Sequence, residues 1–96
     1  MKATDTPPRA DENLASLPNI GKTLAAKLKA IGINDAGGLI KEGSQNAFLK
    51  IKSNGGSHPC YNLLCALEGA IRNTRWHDLP KGVKLELKSF FESVKN

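Results

Sequence analysis

Residues 17–24 hold groups that could bind an anion, because a glycine turn is followed there by the start of a predicted helix. The segment reads Leu-Pro-Asn-Ile-Gly-Lys-Thr-Leu. Such a turn exposes backbone N–H groups at the helix start, where the partial positive charge of the helix dipole favours an anion. Lys22 would add a charge beside that anion, and Thr23 would add a hydroxyl donor. The residue types and their order therefore indicate phosphate binding, largely by the backbone.

This pattern is typical of a helix-hairpin-helix turn, which usually reads Leu-Pro-Gly-Ile-Gly before a small or basic residue. In such proteins the anion is a DNA phosphate, and the contact does not depend on base sequence. The same turn also suits a purely structural role as the link between two packed helices, and both interpretations stay open. The candidate residues for nucleic-acid contact are Asn19, Ile20, Gly21, Lys22, Thr23, Lys27 and Lys29.

Asn19 stands where this pattern has its first glycine. Asparagine adopts the left-handed backbone conformation more readily than other non-glycine residues, so we expect the turn to form. We also expect the Asn19 side chain to crowd a backbone that should lie against a phosphate. This expectation weakens the DNA interpretation.

The number of phosphate contacts also limits that interpretation. Useful affinity comes from several contacts, and one hairpin supplies about two or three. Lys84, Lys88 and Lys95 lie on one side of the last predicted helix and would extend the contact. A solvated basic face is the commoner explanation for such a row.

Other chemistry has little support in the chain. A base-excision enzyme that used this hairpin would need further structure to hold a flipped base, and the chain has no residues to spare for it. There is no Ser-His-Asp or paired-carboxylate pattern, so we expect no enzyme activity, no cofactor and no small-molecule substrate. The spacing of the possible zinc ligands is not that of known zinc sites, so we expect no metal and interpret the cysteines as small hydrophobes, one of them near the core. These possible ligands are His58, Cys60, Cys65 and His77.

The elements that position the turn are predicted to be helices throughout. From Leu14 onward the apolar residues recur with a helical period, and no stretch alternates with a period of two. We expect an all-α fold of five or six helices around one core. The fourth helix should be central, because one broad face of it is apolar: Cys60, Leu63, Leu64, Leu67, Ala70 and Ile71. The main predicted helices cover residues 23–31, 36–42, 45–52, 59–73 and 79–94.

Helix ends are predicted from capping residues. Gly32 should end the first helix, and Asn34 or Asp35 should cap the second. Ser44 and Asp78 are predicted to cap the third and the last helices. On the central helix, the carboxylate and guanidinium at positions 68 and 72 should form an ion pair on the solvent side.

Length and composition place these helices in one small basic domain. The chain has 96 residues and a formal net charge of +5, which favours polyanionic partners. Residues 1–13 contain more acids than bases and no large apolar residue after Met1, so we expect a flexible tail followed by a domain over residues 14–96. No secretory signal follows Met1, and the longest apolar run covers only residues 63–67, far short of the roughly 20 that span a bilayer. We expect a cytoplasmic protein with no membrane contact.

Residues 66–71 are a more specific family signal than the hairpin. They read Ala-Leu-Glu-Gly-Ala-Ile, and a tryptophan follows five residues later. On this segment and several others, over about residues 14–91, the chain resembles the C-terminal domain of the TfoX/Sxy family of bacterial competence regulators. That family often carries Asn at the position of Asn19. The matching residues are Leu17–Lys22, Leu28–Ile33, Gly43, Phe48, Leu63–Ile71, Trp76, Leu79 and Pro80.

The resemblance implies an all-helical fold similar to helix-hairpin-helix and SAM-like domains. It also implies a regulatory role without chemistry, in DNA uptake and transcription control. Full-length members have another domain before this one, so we expect a stand-alone copy here. The expected partner is double-stranded DNA, bound weakly and without sequence specificity, or a transcription regulator protein. In the second case the chain is a protein–protein adaptor and the hairpin is purely structural.

Overall fold

The computed structural model describes residues 11–54 and 59–94, which fold into helices around one core. Two short 3₁₀ helices, Leu14–Ser16 and Trp76–Asp78, accompany the α-helices. Within these residues there is no strand, so the predicted all-α fold is confirmed. The predicted tail up to residue 10, His58 and Lys95 lie outside the described ranges. The five α-helices are α1 (Lys22–Ala30), α2 (Ala36–Glu42), α3 (Ser44–Asn54), α4 (Tyr61–Ile71) and α5 (Lys81–Val94).

Helix α4 is the centre of the fold, as its apolar face predicts. It packs against α2, α3, α5 and the second 3₁₀ helix. Its side chains at Leu64, Cys65 and Leu67 are fully buried. One prediction about this face is wrong: Cys60 is exposed and precedes the helix as its N-cap, while Cys65 is the cysteine in the core.

Helix α5 covers one side of the core with an aromatic layer. Phe90 and Phe91 meet the buried ring of Phe48 edge-on, with ring centroids 6.3 and 6.0 Å from it. Leu87 of the same helix is buried, whereas Leu85 points away from the core with 62% of its surface exposed. The apolar side of α5 therefore faces the core.

Two predicted helix boundaries follow from capping residues as expected. Gly32 has a φ of +92°, and the amide of Ile33 donates to the carbonyl of Leu28 at 2.9 Å, so α1 ends in a Schellman motif. At the start of α2, the Asp35 carboxylate accepts from the Gly38 amide at 2.9 Å. Asp35 is therefore the cap, rather than Asn34.

Two other predicted caps are wrong. Ser44 is the first residue of α3, and its hydroxyl donates to the Glu68 carboxylate at 2.6 Å instead of capping the helix. Asp78 lies in the second 3₁₀ helix, and α5 starts only at Lys81. The reason is Pro80, because the residue before a proline is forced out of the helical region, and Leu79 is indeed extended with a ψ of 142°.

The described residues before α1 contact the folded part. The Asn13 side chain accepts from the Ala15 amide at 2.9 Å and so caps the first 3₁₀ helix. The carbonyl of Glu12 accepts from the amide of Ala36 at 3.0 Å, which ties this segment to the start of α2. None of the helices in the described ranges is long and apolar enough to cross a membrane.

Candidate nucleic-acid interface

The hairpin turn is anchored by two buried apolar side chains. Leu17 and Ile20 expose only 4% and 5% of their surfaces, and the Ile20 amide donates to the Leu17 carbonyl at 3.3 Å. Between them, Asn19 adopts a φ of +71°, so the predicted left-handed conformation is present. The turn thus forms with asparagine in the place of glycine.

The Asn19 side chain points into the protein. Its Nδ2 donates to the carbonyl of Thr74 at 2.9 Å and to that of Ala66 at 3.4 Å. Its Oδ1 accepts from the Trp76 amide at 3.1 Å. The expectation that this side chain would crowd the outer surface of the turn is therefore wrong, because its amide bonds to backbone groups of α4 and the loop after it.

Gly69 makes room for this asparagine. A Cβ atom at position 69 would lie 2.5 Å from Asn19 Nδ2 and 2.8 Å from the Thr74 carbonyl oxygen. The hairpin can dock on α4 only because this helix position lacks a side chain. This pairing was not predicted from the sequence, although a glycine inside a helical pattern can have a packing reason.

The loop after α4 is shaped to receive the asparagine. Asn73 adopts a φ of +59°, and the amide of Thr74 donates to the carbonyl of Gly69 at 2.8 Å. This Schellman-type ending turns the chain back so that the carbonyl of Thr74 and the amide of Trp76 face Asn19. The Asn19 side chain thus links the end of α4 to the hairpin turn.

The start of α1 is open to solvent. Gly21 is its N-cap, and within the described residues no side chain caps it. Gly21, Lys22 and Thr23 are all exposed, and a Cβ atom at position 21 would meet nothing within 4 Å. The first N–H groups of a helix have no intrahelical partners. These N–H groups therefore lie at an exposed helix start that no described side chain caps.

The predicted lysines lie on two sides of α1. Lys22 and Lys29 are exposed, and at 100° per residue they lie about 20° apart around the axis, two turns from each other. Lys27 is half-buried and lies about 140° away from Lys22. Among the seven candidates, the structure brings together Gly21, Lys22 and Thr23. Lys29 extends their side, Lys27 lies apart, and Asn19 and Ile20 hold the turn.

Cys65 and the nearby Tyr61 are part of the packing. Burial raises the pKa of the Cys65 thiol, and burial together with the contact to Cys65 raises the pKa of Tyr61 to about 12. The Tyr61 hydroxyl donates to the carbonyl of Lys84 at 3.1 Å, which joins α4 to α5. Over the described part of the chain, no group of three or more His, Cys, Asp or Glu side chains could hold a metal ion.

The fold and the hairpin define a small all-helical domain in which the start of α1 is exposed and lies beside a basic side chain. Residues 10–91 match the family of the TfoX C-terminal domain. The chain belongs to this family, as the resemblance in its sequence implied.

Two solved structures from Listeria monocytogenes are similar to this chain. One, an uncharacterized protein in a triclinic crystal form, is 45% identical with a TM-score of 0.84, over 88% of this chain and 94% of that one. The other, a protein of unknown function in a tetragonal form, is 46% identical with a TM-score of 0.79, over 83% of this chain and 98% of that one. No curated protein matches the chain. These relatives therefore support the family and the fold, and the function has to be argued from the site.

Proposed function

We propose that this chain is a non-enzymatic, cytoplasmic regulatory module of bacteria that contacts the phosphate backbone of double-stranded DNA through the start of α1. The contact is weak and independent of base sequence, because backbone N–H groups and Lys22 would meet phosphates rather than bases. The regulatory setting comes from the family, whose resemblance implies DNA uptake and transcription control.

The observation that carries the proposal is the uncapped start of α1. Gly21 has a φ of −98° and a ψ of −171°, an extended conformation that any residue adopts. Its surroundings are also open, so neither the backbone nor the packing of this chain requires a glycine there. A close approach of an external group to the backbone would require one, which favours a ligand at this position.

A salt titration of binding to an unrelated labelled duplex, begun at about 20 mM monovalent salt, tests the proposal. We expect micromolar affinity and a slope of log K against log salt of about −2 to −3, for two or three phosphates. Lys22→Ala should lower the slope by about one. Lys41→Ala is the matched control, because Lys41 is an exposed lysine on the short helix α2.

The same titration has outcomes that contradict the proposal. Absence of binding at the lowest salt would leave the hairpin as scaffold. Equal losses in Lys22→Ala and Lys41→Ala would show that net charge alone holds the duplex.

A protein–protein adaptor is the second candidate function, and the exposed side chain of Leu85 favours it. Leu85 lies on the side of α5 opposite the core, and Lys81 and Lys88 are exposed on the same side. An acidic surface with an apolar centre, on a transcription regulator, would fit this face. The adaptor predicts a complex that Lys22→Ala leaves intact and that Leu85→Asp abolishes in size-exclusion chromatography.

A further inference from the structure

The loop between α4 and the second 3₁₀ helix lies directly against the hairpin turn. The Asn19 amide bonds to the carbonyl of Thr74 at 2.9 Å and to the amide of Trp76 at 3.1 Å. Arg75 is the one residue between these two. Its Cα is therefore fixed beside the turn, although 54 positions separate it from Gly21 in the chain.

The backbone around Arg75 is held on both sides. Its carbonyl accepts from the Asp78 amide at 2.9 Å, in the second 3₁₀ helix. The next residue, Trp76, packs partly buried against the core, and Leu79 behind it exposes only 4% of its surface. The backbone that carries the cation at position 75 is thus already held in place. This reduces the conformational entropy that is lost when the side chain binds a ligand.

The Arg75 side chain is exposed, and within residues 11–54 and 59–94 it has no ion-pair or hydrogen-bond partner. The other arginine of this region differs. Arg72 is paired with the carboxylate of Glu68 in the i, i+4 ion pair that the sequence predicts. Asp78 is the acidic side chain nearest to Arg75 in sequence, and the two form no salt bridge. The guanidinium of Arg75 is therefore available to an external anion.

We propose that Arg75 is a second cation of the hairpin's phosphate site, so that the DNA-contacting surface spans the start of α1 and the loop after α4. The proposal rests on the proposed contact between α1 and DNA. A guanidinium offers two parallel N–H donors that match two phosphate oxygens, whereas Lys22 offers a point charge. The Asn19 amide joins the two halves of this surface.

Salt titrations of duplex binding by the full chain test the role of Arg75. Arg75→Ala should reduce the salt slope by about one and lower the affinity at about 20 mM salt roughly tenfold. Arg75→Lys should keep the slope, because the charge remains, while the affinity falls by about threefold with the lost bidentate geometry. Lys41→Ala, which removes one exposed charge from α2, should leave the slope unchanged.

The double variant Lys22→Ala/Arg75→Ala separates this proposal from the one it rests on. We expect its slope to fall by about two, one for each cation. If Arg75→Ala behaves like Lys41→Ala while Lys22→Ala still lowers the slope, Arg75 lies outside the interface and the contact at α1 stands. If Lys22→Ala, Arg75→Ala and Lys41→Ala lose equal affinity, both proposals fail.

Discussion

Two helices of this domain begin directly after a glycine, and their starts differ in what fills them. At α3, which follows Gly43, the carboxylate of Glu68 lies beside the first turn and accepts from the Ser44 hydroxyl at 2.6 Å. Arg72 holds that carboxylate from the other side. At α1, which follows Gly21, no described side chain caps the start, and the first turn holds no acidic residue. The chain supplies its own anion to one helix start and leaves the other open.

The two glycines differ in the same way. Gly43 has a φ of +85° and a ψ of 156°, a conformation almost restricted to glycine, so the fold itself requires it. Gly21 is extended and surrounded by open space, so the fold does not. Position 43 therefore requires glycine for its backbone conformation, whereas neither the backbone conformation nor the packing requires it at position 21.

Gly69→Ala should have the largest effect, because it would break the docking that presents the α1 start. The new Cβ would lie 2.5 Å from Asn19 Nδ2 and 2.8 Å from a backbone oxygen, so the hairpin or the loop must shift. We expect a loss of about 3 kcal/mol in the free energy of unfolding, measured in urea.

Gly82→Ala is the matched control for that change. Gly82 lies in α5, and a Cβ there would meet nothing within 4 Å. The free energy of unfolding of Gly82→Ala should equal that of the parent chain or exceed it by up to about 1 kcal/mol, since alanine favours the helix. Equal losses in both variants would contradict the close approach of the hairpin to α4.

Asn19→Ala should lower the free energy of unfolding slightly less than Gly69→Ala does, by about 2–3 kcal/mol. It removes three hydrogen bonds that the asparagine makes to Ala66, Thr74 and Trp76, and it places alanine at a φ of +71°. Asn19→Gly removes the same bonds but relieves the backbone. It should therefore be more stable than Asn19→Ala by about 1 kcal/mol in the same urea experiment. If the two variants are equally stable, the left-handed backbone at this position carries no strain for alanine.

This asparagine shows where sequence reasoning succeeds and where it stops. Its left-handed backbone was predictable, because that preference belongs to the residue type. The direction of its side chain was not, because the partners lie 47, 55 and 57 positions away in the chain. Gly32 as the end of α1 and the apolar face of α4 were predicted for the same local reasons.

Local rules failed where two of them compete. Asp78 is a good capping residue by type, but Pro80 forces Leu79 to be extended, so α5 starts at Lys81. Ser44 also has the right type for a cap, yet its hydroxyl bonds to Glu68 of another helix. Arg75 could not be predicted as a residue of the candidate site from local sequence either. Only the packing of the loop after α4 on the hairpin brings it near the site.

Gly43→Ala should destabilise the protein by about 1–2 kcal/mol, because a φ of +85° strains any residue with a side chain. The space around Gly43 is open, so backbone strain and not a clash is the cause. Duplex affinity at about 20 mM salt should stay within about twofold of the parent chain, measured below the unfolding transition. A larger loss of affinity would place the α3 start in the interface and remove the difference between the two helix starts.

Gly21→Ala should have the smallest effect on stability of these variants, yet it should weaken duplex binding. The extended backbone and the open space accept a methyl group. Alanine is a poorer N-cap than glycine, but it also lowers the entropy of the unfolded chain, so the free energy of unfolding should change by no more than about 0.5 kcal/mol. A methyl group at this position would hold a phosphate away from the first N–H groups of α1, and we expect duplex affinity to fall about tenfold. Lys22 remains in this variant, so a loss of affinity reports the backbone contact and not the charge. If Gly21→Ala binds the duplex as tightly as the parent chain, the open start of α1 holds no phosphate, and its difference from α3 is only one of packing.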